Sequence, residues 1–421
     1  MAFLPRVFAV LALSLLSTFG VPALAQAPAR GVDGFVAEVL RRNPALQARA
    51  LTRDAARSEA TSAGLWPDPE AAVMLDRLPK RMEGEMPMVR YQLSQMIPWP
   101  GKLGLMQGAA ERRTDAAHAD VATQTLDLVR DAKRGYWMLL MNKGLRDLNG
   151  AGRSLLDTIA SAALARYGSG SGNHHDVVRA QVEQSTIDVE AFDLEGERVA
   201  TLAMLNALRD APADAAIEDP LEPGPETLPA TPALSRLEQL ASARRPELGR
   251  MRAMQREEKA MAELARRERY PDLMTSVWYN QMLGEPDTAG VMLGVTLPLF
   301  NVRRQGRLAD AAELRAGSAG SGLRAMQNMI RFEIADALRK LVTATRTLEL
   351  VRTVAAPRAN ENFSASLAGY TTGNVDILGV LEAWRSLQTV ERARVESVAA
   401  RLQALADLER AIGGSLSEVS P

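Results

Sequence analysis

Cysteine is absent from all 421 residues, which excludes disulfides, thiolate metal sites, a cysteine nucleophile and an acylated N-terminal cysteine. An excess of charge of one sign is also missing. The 50 Lys+Arg balance 51 Asp+Glu, so neither a nucleic acid nor a polybasic membrane contact is implied. Histidine is scarce at three residues, no serine sits in a nucleophile-elbow pattern, and no carboxylate–histidine cluster appears, so nothing supports an enzyme or a resident cofactor. Past the N-terminal segment no stretch approaches the ~20 uninterrupted apolar residues of a membrane-spanning helix. The N-terminal segment itself, residues 1–25, reads as an export signal. Arg6 supplies the positive end, Val7 to Phe19 the apolar core, and Ala23-Leu24-Ala25 a cleavage site before Gln26. The mature chain is therefore expected either soluble in the periplasm or in a membrane as β-strands.

Proline is missing where helix needs protection. The chain holds 22 prolines yet has none after Pro100 until Pro212. Within that run Val178, Val182, Ser185, Val189, Phe192, Gly196, Val199 and Ala203 alternate four and three apart, the spacing expected of the seam of a packed helix pair. Arg166-Tyr167-Gly168-Ser169-Gly170-Ser171-Gly172-Asn173 ends one helix and starts the next. Helix from Lys102 to Arg166 would reach roughly 100 Å. A rod of that length predicts a long helical hairpin.

What is present is a two-fold repeat with a period of about 200 residues. Arg42-Asn43-Pro44 is echoed by Arg245-Pro246, Trp66-Pro67-Asp68 by Tyr270-Pro271-Asp272, and Gln95-Met96-Ile97-Pro98 by Val295-Thr296-Leu297-Pro298. Arg166-Tyr167-Gly168 is echoed by Gly369-Tyr370-Thr371-Thr372-Gly373. The expected units are 26–211 and 233–421, each a helix, a β-hairpin and a long helical hairpin, joined by a linker over 212–232 that holds six prolines. In the second hairpin Ile330, Ile334, Ala337, Leu341, Ala344, Leu348, Val351 and Ala355 form the seam, while Pro357 and the glycine run 317–322 should weaken or kink the helix.

Between Ala71 and Ile97 the period switches to two. Val89, Tyr91, Leu93 and Ile97 fall on one face, with Arg90, Gln92 and Ser94 opposite and a turn over Pro79 to Pro87. In the second copy Val291, Leu293, Val295 and Leu297 share a face, paired with a strand through Leu273 to Tyr279 across a turn at Gly284 to Asp287. Four strands cannot close a membrane barrel, but three chains contributing four each would. Trp66, Trp99 and Trp278, with Tyr91, Tyr270 and Tyr279, would then supply interfacial girdles. A soluble antiparallel sheet capped by helices satisfies the same periodicity.

The chain resembles the TolC-like outer-membrane efflux protein family over essentially its whole mature length. The resemblance rests on the repeat, on Tyr270-Pro271-Asp272, and on Gly294 to Phe300. It also rests on Tyr370-Thr371-Thr372-Gly373 followed by Val380-Leu381-Glu382-Ala383, and on the repeat endings Leu205-Asn206-Ala207-Leu208 and Ala411-Ile412-Gly413-Gly414. It implies a mainly α-helical homotrimer with a twelve-stranded β-barrel in the outer-membrane lipid of a Gram-negative bacterium and an α-helical barrel across the periplasm. Its partners would be a periplasmic membrane-fusion adaptor and an inner-membrane pump, expected of the resistance-nodulation-division type. Ser94 to Lys102 is similar to the branch serving heavy-metal cation efflux. A type I protein secretion duct and a soluble periplasmic coiled-coil scaffold are the alternatives.

The resemblance also assigns sites. Val89, Leu93, Val291, Leu293 and Val295 would face lipid. Arg166, Tyr167, Gly168 and Gly170, with Tyr370 and Gly373, would form the adaptor-docking tips. Ungapped alignment of the tip places Gly379 and Glu382 where the archetype carries two aspartates, and Val375 where it carries a locking arginine. Glu382 with Tyr370 is thus the expected periplasmic gate. Gly168 to Gly172 lacks the Gly-Lys-Ser/Thr of a phosphate loop, and His174 and His175 read as solvated loop residues. The 18 methionines are scattered through the chain and are expected to pack in the core or against lipid.

Overall fold

The computed structural model describes residues 31–76, 88–217, 232–282, 286–296 and 302–416. The export signal, the turn over Pro79 to Pro87, most of the proline-rich linker, Gly284, and Leu297 to Phe300 lie outside the described residues.

Each repeat follows the same order. The first comprises α1 (Val32–Arg42), α2 (Pro44–Ala63), β1 (Glu70–Asp76), β2 (Met88–Ile97), α3 (Lys102–Gly168) and α4 (His174–Leu208). The second comprises α5 (Leu234–Arg244), α6 (Pro246–Arg267), β3 (Asp272–Met282), β4 (Thr288–Thr296), α7 (Val302–Leu350), α8 (Ala356–Thr372) and α9 (Ile377–Ile412). With 67 residues, α3 is the rod expected from its lack of proline, roughly 100 Å long. No described helix is long and apolar enough to cross a membrane.

Local chemistry sets the boundaries. Asn43 accepts a hydrogen bond from the Leu46 N–H at 3.1 Å and precedes Pro44 at the first helical position of α2. Asp376 caps α9 by accepting from the Gly379 N–H at 2.8 Å. The glycine run 317–322 does not break α7, which passes through it as continuous α-helix. Pro357 does leave its mark, because Val351–Ala355 form a π-helical turn just before it. A proline ring clashes with the carbonyl four residues back, and the widened turn makes room.

Each repeat is closed on itself at an equivalent point. Asn43 donates to the Leu208 carbonyl at 2.8 Å, at the end of α4. Its counterpart Arg245 donates to the Ala411 carbonyl at 2.9 Å, at the end of α9. Arg245 has a side chain 1% exposed and also binds Glu247 and Glu333, while Arg410 binds Asp127 and Glu247. Burial alone would raise the Glu247 carboxyl, but the Arg245 hydrogen bonds, its own backbone N–H and the charges of Arg245 and Arg410 hold it below the usual carboxylate range.

Three apolar clusters lie along the bundle. One holds Leu156, Ile159, Phe363, Tyr370 and Trp384 near the tips, one joins α5, α6, α7 and α9, and one packs Phe35 and Val39 against α3. Ile330, Ile334, Ala337, Leu341 and Leu348 are buried as their spacing predicted. The α4 stripe is a correction. Val178, Val182, Val189 and Val199 are exposed, and Phe192 is 77% exposed; α4 instead buries Val177, Ala180, Ile187, Leu194 and Leu205 against its own chain. The spacing is that of a packing seam, but the described residues do not supply the partner.

Candidate functional site

The four strands form one antiparallel sheet in the order β1-β2-β3-β4, so the repeats meet where β2 pairs with β3. Strands β2, β3 and β4 hold 10, 11 and 9 residues, the length a tilted strand needs to cross a bilayer. Among the described residues β1 pairs only with β2 and β4 only with β3, leaving both outer edges open.

Because side chains alternate, the register assigns every residue to a face. Val89, Leu93, Val291, Leu293 and Val295 share one face with Val73, Leu75, Tyr91, Val277 and Tyr279. This face is apolar except for Gln95, Thr275 and Gln281 and is largely exposed, Val291 by 68% and Leu293 by 77%. The other face carries Arg90, Gln92, Ser94, Asn280, Thr288 and Thr296. There Arg90 donates to Asn280 at 2.9 Å and Asn280 to Thr288 at 3.0 Å. Met88, Ser276 and Asn280, all on the polar face, are buried, which marks it as the concave side.

Two expectations change at this sheet. Trp278 does not join Tyr91 and Tyr279 in a girdle but lies on the polar face, its ring covering Gly290. The strand methionines are not scattered. Met74, Met88, Met96, Met274, Met282 and Met292 all stand on the polar face, and among the described strand residues none stands on the apolar one.

The base of the sheet is pinned to the helices by Asp272. Its Oδ1 accepts from the Trp99 N–H at 2.8 Å and from Lys102 Nζ at 2.8 Å, and Lys102 also donates to the Tyr270 carbonyl at 3.1 Å. Trp99 stacks on Tyr270 with ring centres 5.3 Å apart. The Trp99 to Lys102 stretch and the Tyr-Pro-Asp motif, more than 160 residues apart in sequence, thus form one joint.

At the far end of the rods the two tips meet. The Arg166 guanidinium donates to the Tyr370 carbonyl and lies 4.8 Å over the Tyr370 ring. Tyr167 packs edge-on against His174 at 5.5 Å. Gly170 (φ 72°) and Gly373 (φ 84°) both take the left-handed conformation their turns require. Gly168, Gly170 and Gly373 are exposed. Tyr370 is 1% exposed, so it holds the tips together and does not stand on a pore surface. Burial pushes its hydroxyl pKa up and Asp176 adds to this, with Arg166 opposing. Glu382 is exposed one turn before Arg385, whose guanidinium pairs with Glu183. Val375 packs against Gly369 and Gly379, leaving no room for larger residues at either.

The described residues hold no cluster of three or more histidine, aspartate or glutamate side chains able to bind a metal. Alternation made both faces of β2 legible in the sequence, the apolar one at odd positions and the one with Arg90, Gln92 and Ser94 at even positions. The methionines fall at even positions among these polar residues, where residue type gives no sign of a shared face.

A family model described as outer membrane efflux protein matches residues 35–209 and 237–414, one match on each repeat. The chain is 24% identical over 377 residues to the cobalt-zinc-cadmium resistance protein CzcC of Cupriavidus metallidurans, spanning 87% of this chain and 86% of that one. A membrane protein from Pseudomonas aeruginosa superposes with a TM-score of 0.81 at 21% identity, covering 95% of this chain and 100% of the other. The channel-forming protein CusC does so with a TM-score of 0.81 at 16% identity, covering 93% and 96%.

Proposed function

Because the chain belongs to the outer membrane efflux protein family, we propose that it is the outer-membrane duct of a tripartite exporter of heavy-metal cations. The duct is a homotrimer. Its strands close in the outer membrane, its helices cross the periplasm, and its tips meet a membrane-fusion adaptor carried by an inner-membrane pump of the resistance-nodulation-division type. The observation that carries this reading is a sheet with three bilayer-length strands, two open edges and one exposed face that is apolar except for Gln95, Thr275 and Gln281. Joining β1 of one copy to β4 of the next satisfies the edges, and lipid covers the face. The exposed stripe on α4, with Phe192 at its centre, suits a neighbouring copy in the same trimer.

Within this assembly Val89, Leu93, Val291, Leu293 and Val295 face lipid. Arg166, Tyr167, Gly168, Gly170 and Gly373 form the docking tips, with Tyr370 setting their geometry from inside. Glu382 supplies an acidic ring at the periplasmic end, where three carboxylates around the axis attract cations. The cargo class comes from the similarity to CzcC.

Carbonate-washed outer membranes and affinity purification test this together. The reading expects a washed-membrane trimer that brings down an adaptor and a pump, and export of metal cations that fails when the chain is deleted. A chain recovered only in the soluble periplasmic fraction overturns the duct. Recovery with an ATP-driven protein exporter overturns the cargo.

A further inference from the structure

The six strand methionines fall into two groups on the concave face. Met74, Met88 and Met282 lie toward the hairpin turns, and Met96, Met274 and Met292 lie toward the helices. Met96 stands directly opposite Met274, and Met88 directly opposite Met282. Directly opposed Cβ atoms in an antiparallel pair are about 4.5–5.5 Å apart. Two thioethers of such a pair can therefore reach one ion without any backbone movement. Met292 is diagonal to Met274, and Met74 to Met88, so each group adds a third sulfur on the neighbouring strand. Eight residues of strand put the two groups roughly 27 Å apart along the chain.

Packing does not account for this placement. Met74, Met96, Met274 and Met292 are exposed, on the face that otherwise carries polar groups. The apolar face, where a methionine would be covered by lipid, has none among the described residues. The feature that distinguishes methionine from the leucines and valines opposite is its soft sulfur.

We propose that Met96, Met274 and Met292 form a thioether station inside the barrel for a soft monovalent cation, Cu(I) or Ag(I), with Met74, Met88 and Met282 as a weaker second station. The inference rests on the duct reading above and narrows its cargo. Thioethers select Cu(I) over the harder divalent ions, which need imidazole, thiolate or carboxylate. The chain has no cysteine and no histidine in its strands. Neutral thioethers bind without releasing a proton and bring no charge of their own, which suits a station that must let the ion leave as well as enter. Electrostatics rank the two groups. Arg90 stands opposite Met74 and disfavours a cation at the turn-side group. At the helix-side group the nearby ammonium of Lys102 is already paired with Asp272.

The purified trimer, labelled with ¹³C at the methionine methyls and reconstituted in bilayers, tests the proposal in nitrate electrolyte with Ag(I) as the probe. The expected result is Ag(I)-dependent shifts of strand methionine methyls and an Ag(I)-dependent fall in single-channel current. Both should weaken at least tenfold in the Met96→Leu/Met274→Leu/Met292→Leu variant, while its potassium conductance stays at the wild-type value. Zn(II) should leave the strand methionine methyls unshifted, and any block it produces at the acidic ring should be the same in wild type and the triple variant. Equal Ag(I) responses in wild type and the triple variant overturn the station but leave the duct standing, because the channel still conducts. Absence of any channel from wild type overturns the duct reading itself. If the triple variant does not insert, the methyl shifts of wild type and of the single Met292→Leu variant decide in its place. Unshifted strand methionines in wild type refute the station.

Discussion

Arginine scanning of two adjacent residues in β4 separates the faces of the sheet. Val291 is the fourth residue of β4, lies opposite Val277 in the middle of β3, and is 68% exposed on the apolar face. Met292 is the next residue and points to the concave side. A cationic side chain on the lipid face near the midplane costs about 2–4 kcal/mol, falling to near zero at the interfaces. Because each 1.4 kcal/mol is tenfold, Val291→Arg should lower the insertion equilibrium by roughly 30- to 700-fold per chain. Three chains inserting together compound the loss. Met292→Arg places the same charge in the aqueous lumen, where it should leave insertion intact and shift ion preference toward anions. Refolding into liposomes across a urea series gives the first quantity, and planar-bilayer recording gives the second. Equal insertion of both variants, or equal loss in both, would refute the assignment of faces.

Four further outcomes follow from the helical part. Arg245→Ala should lower stability by about 1–3 kcal/mol, because Glu247 and the partly exposed Glu333 then keep only Arg410 as a cationic partner, while Arg245→Met, which retains an apolar stem, should lose less; thermal melts followed by circular dichroism compare them. Glu247 is held below the usual carboxylate range, so its contribution is fully present above the ordinary value of about 4.3 and is lost as pH falls through its lower folded value. A melting temperature that does not fall on acidification below pH ~4, once the other carboxylates are accounted for with Glu247→Gln, would contradict this. Gly373→Val forces a β-branched residue into the left-handed region and should abolish adaptor co-purification while the trimer stays in the membrane. Glu382→Gln should reduce cation selectivity and block by divalent ions in single-channel records, and unchanged selectivity would remove Glu382 from the pore.

The parts of the fold legible in the sequence were those fixed by local rules. The absence of proline marked α3, the change of period marked the strands, and repetition of Tyr370 and Gly373 against Tyr167 and Gly170 marked the tips. Alternation alone grouped Val89, Leu93, Val291, Leu293 and Val295, and the register places these five on one face. What was not legible depends on partners distant in sequence. A four–three stripe looks the same whether it packs on its own chain or elsewhere, so Val182, Val189 and Phe192 gave no sign of facing outward. Trp278 reads as a girdle residue by type, but its place between Val277 and Tyr279 and its pairing opposite Gln92 and Gly290 put it on the other side. The cluster of Arg245, Glu247, Glu333, Arg410 and Asp127 joins residues from opposite ends of the chain, and no spacing in the sequence connects them. Gly317 to Gly322 are tolerated in α7 because neighbouring α6 supports the helix through its packed face.

The two open sheet edges carry a genetic consequence. In the proposed ring each joint pairs β1 of one copy with β4 of the next, so the contact is heterologous and every subunit takes part in two joints. A subunit with a damaged β4 spoils one joint, and one gap is enough to open the ring. In a cell making equal amounts of normal and damaged chain with random mixing, only roughly one ring in eight would contain normal chains alone. Alleles that damage an edge without preventing assembly should therefore act dominantly. Alleles that keep the chain from folding at all should be recessive, because such chains never reach the ring.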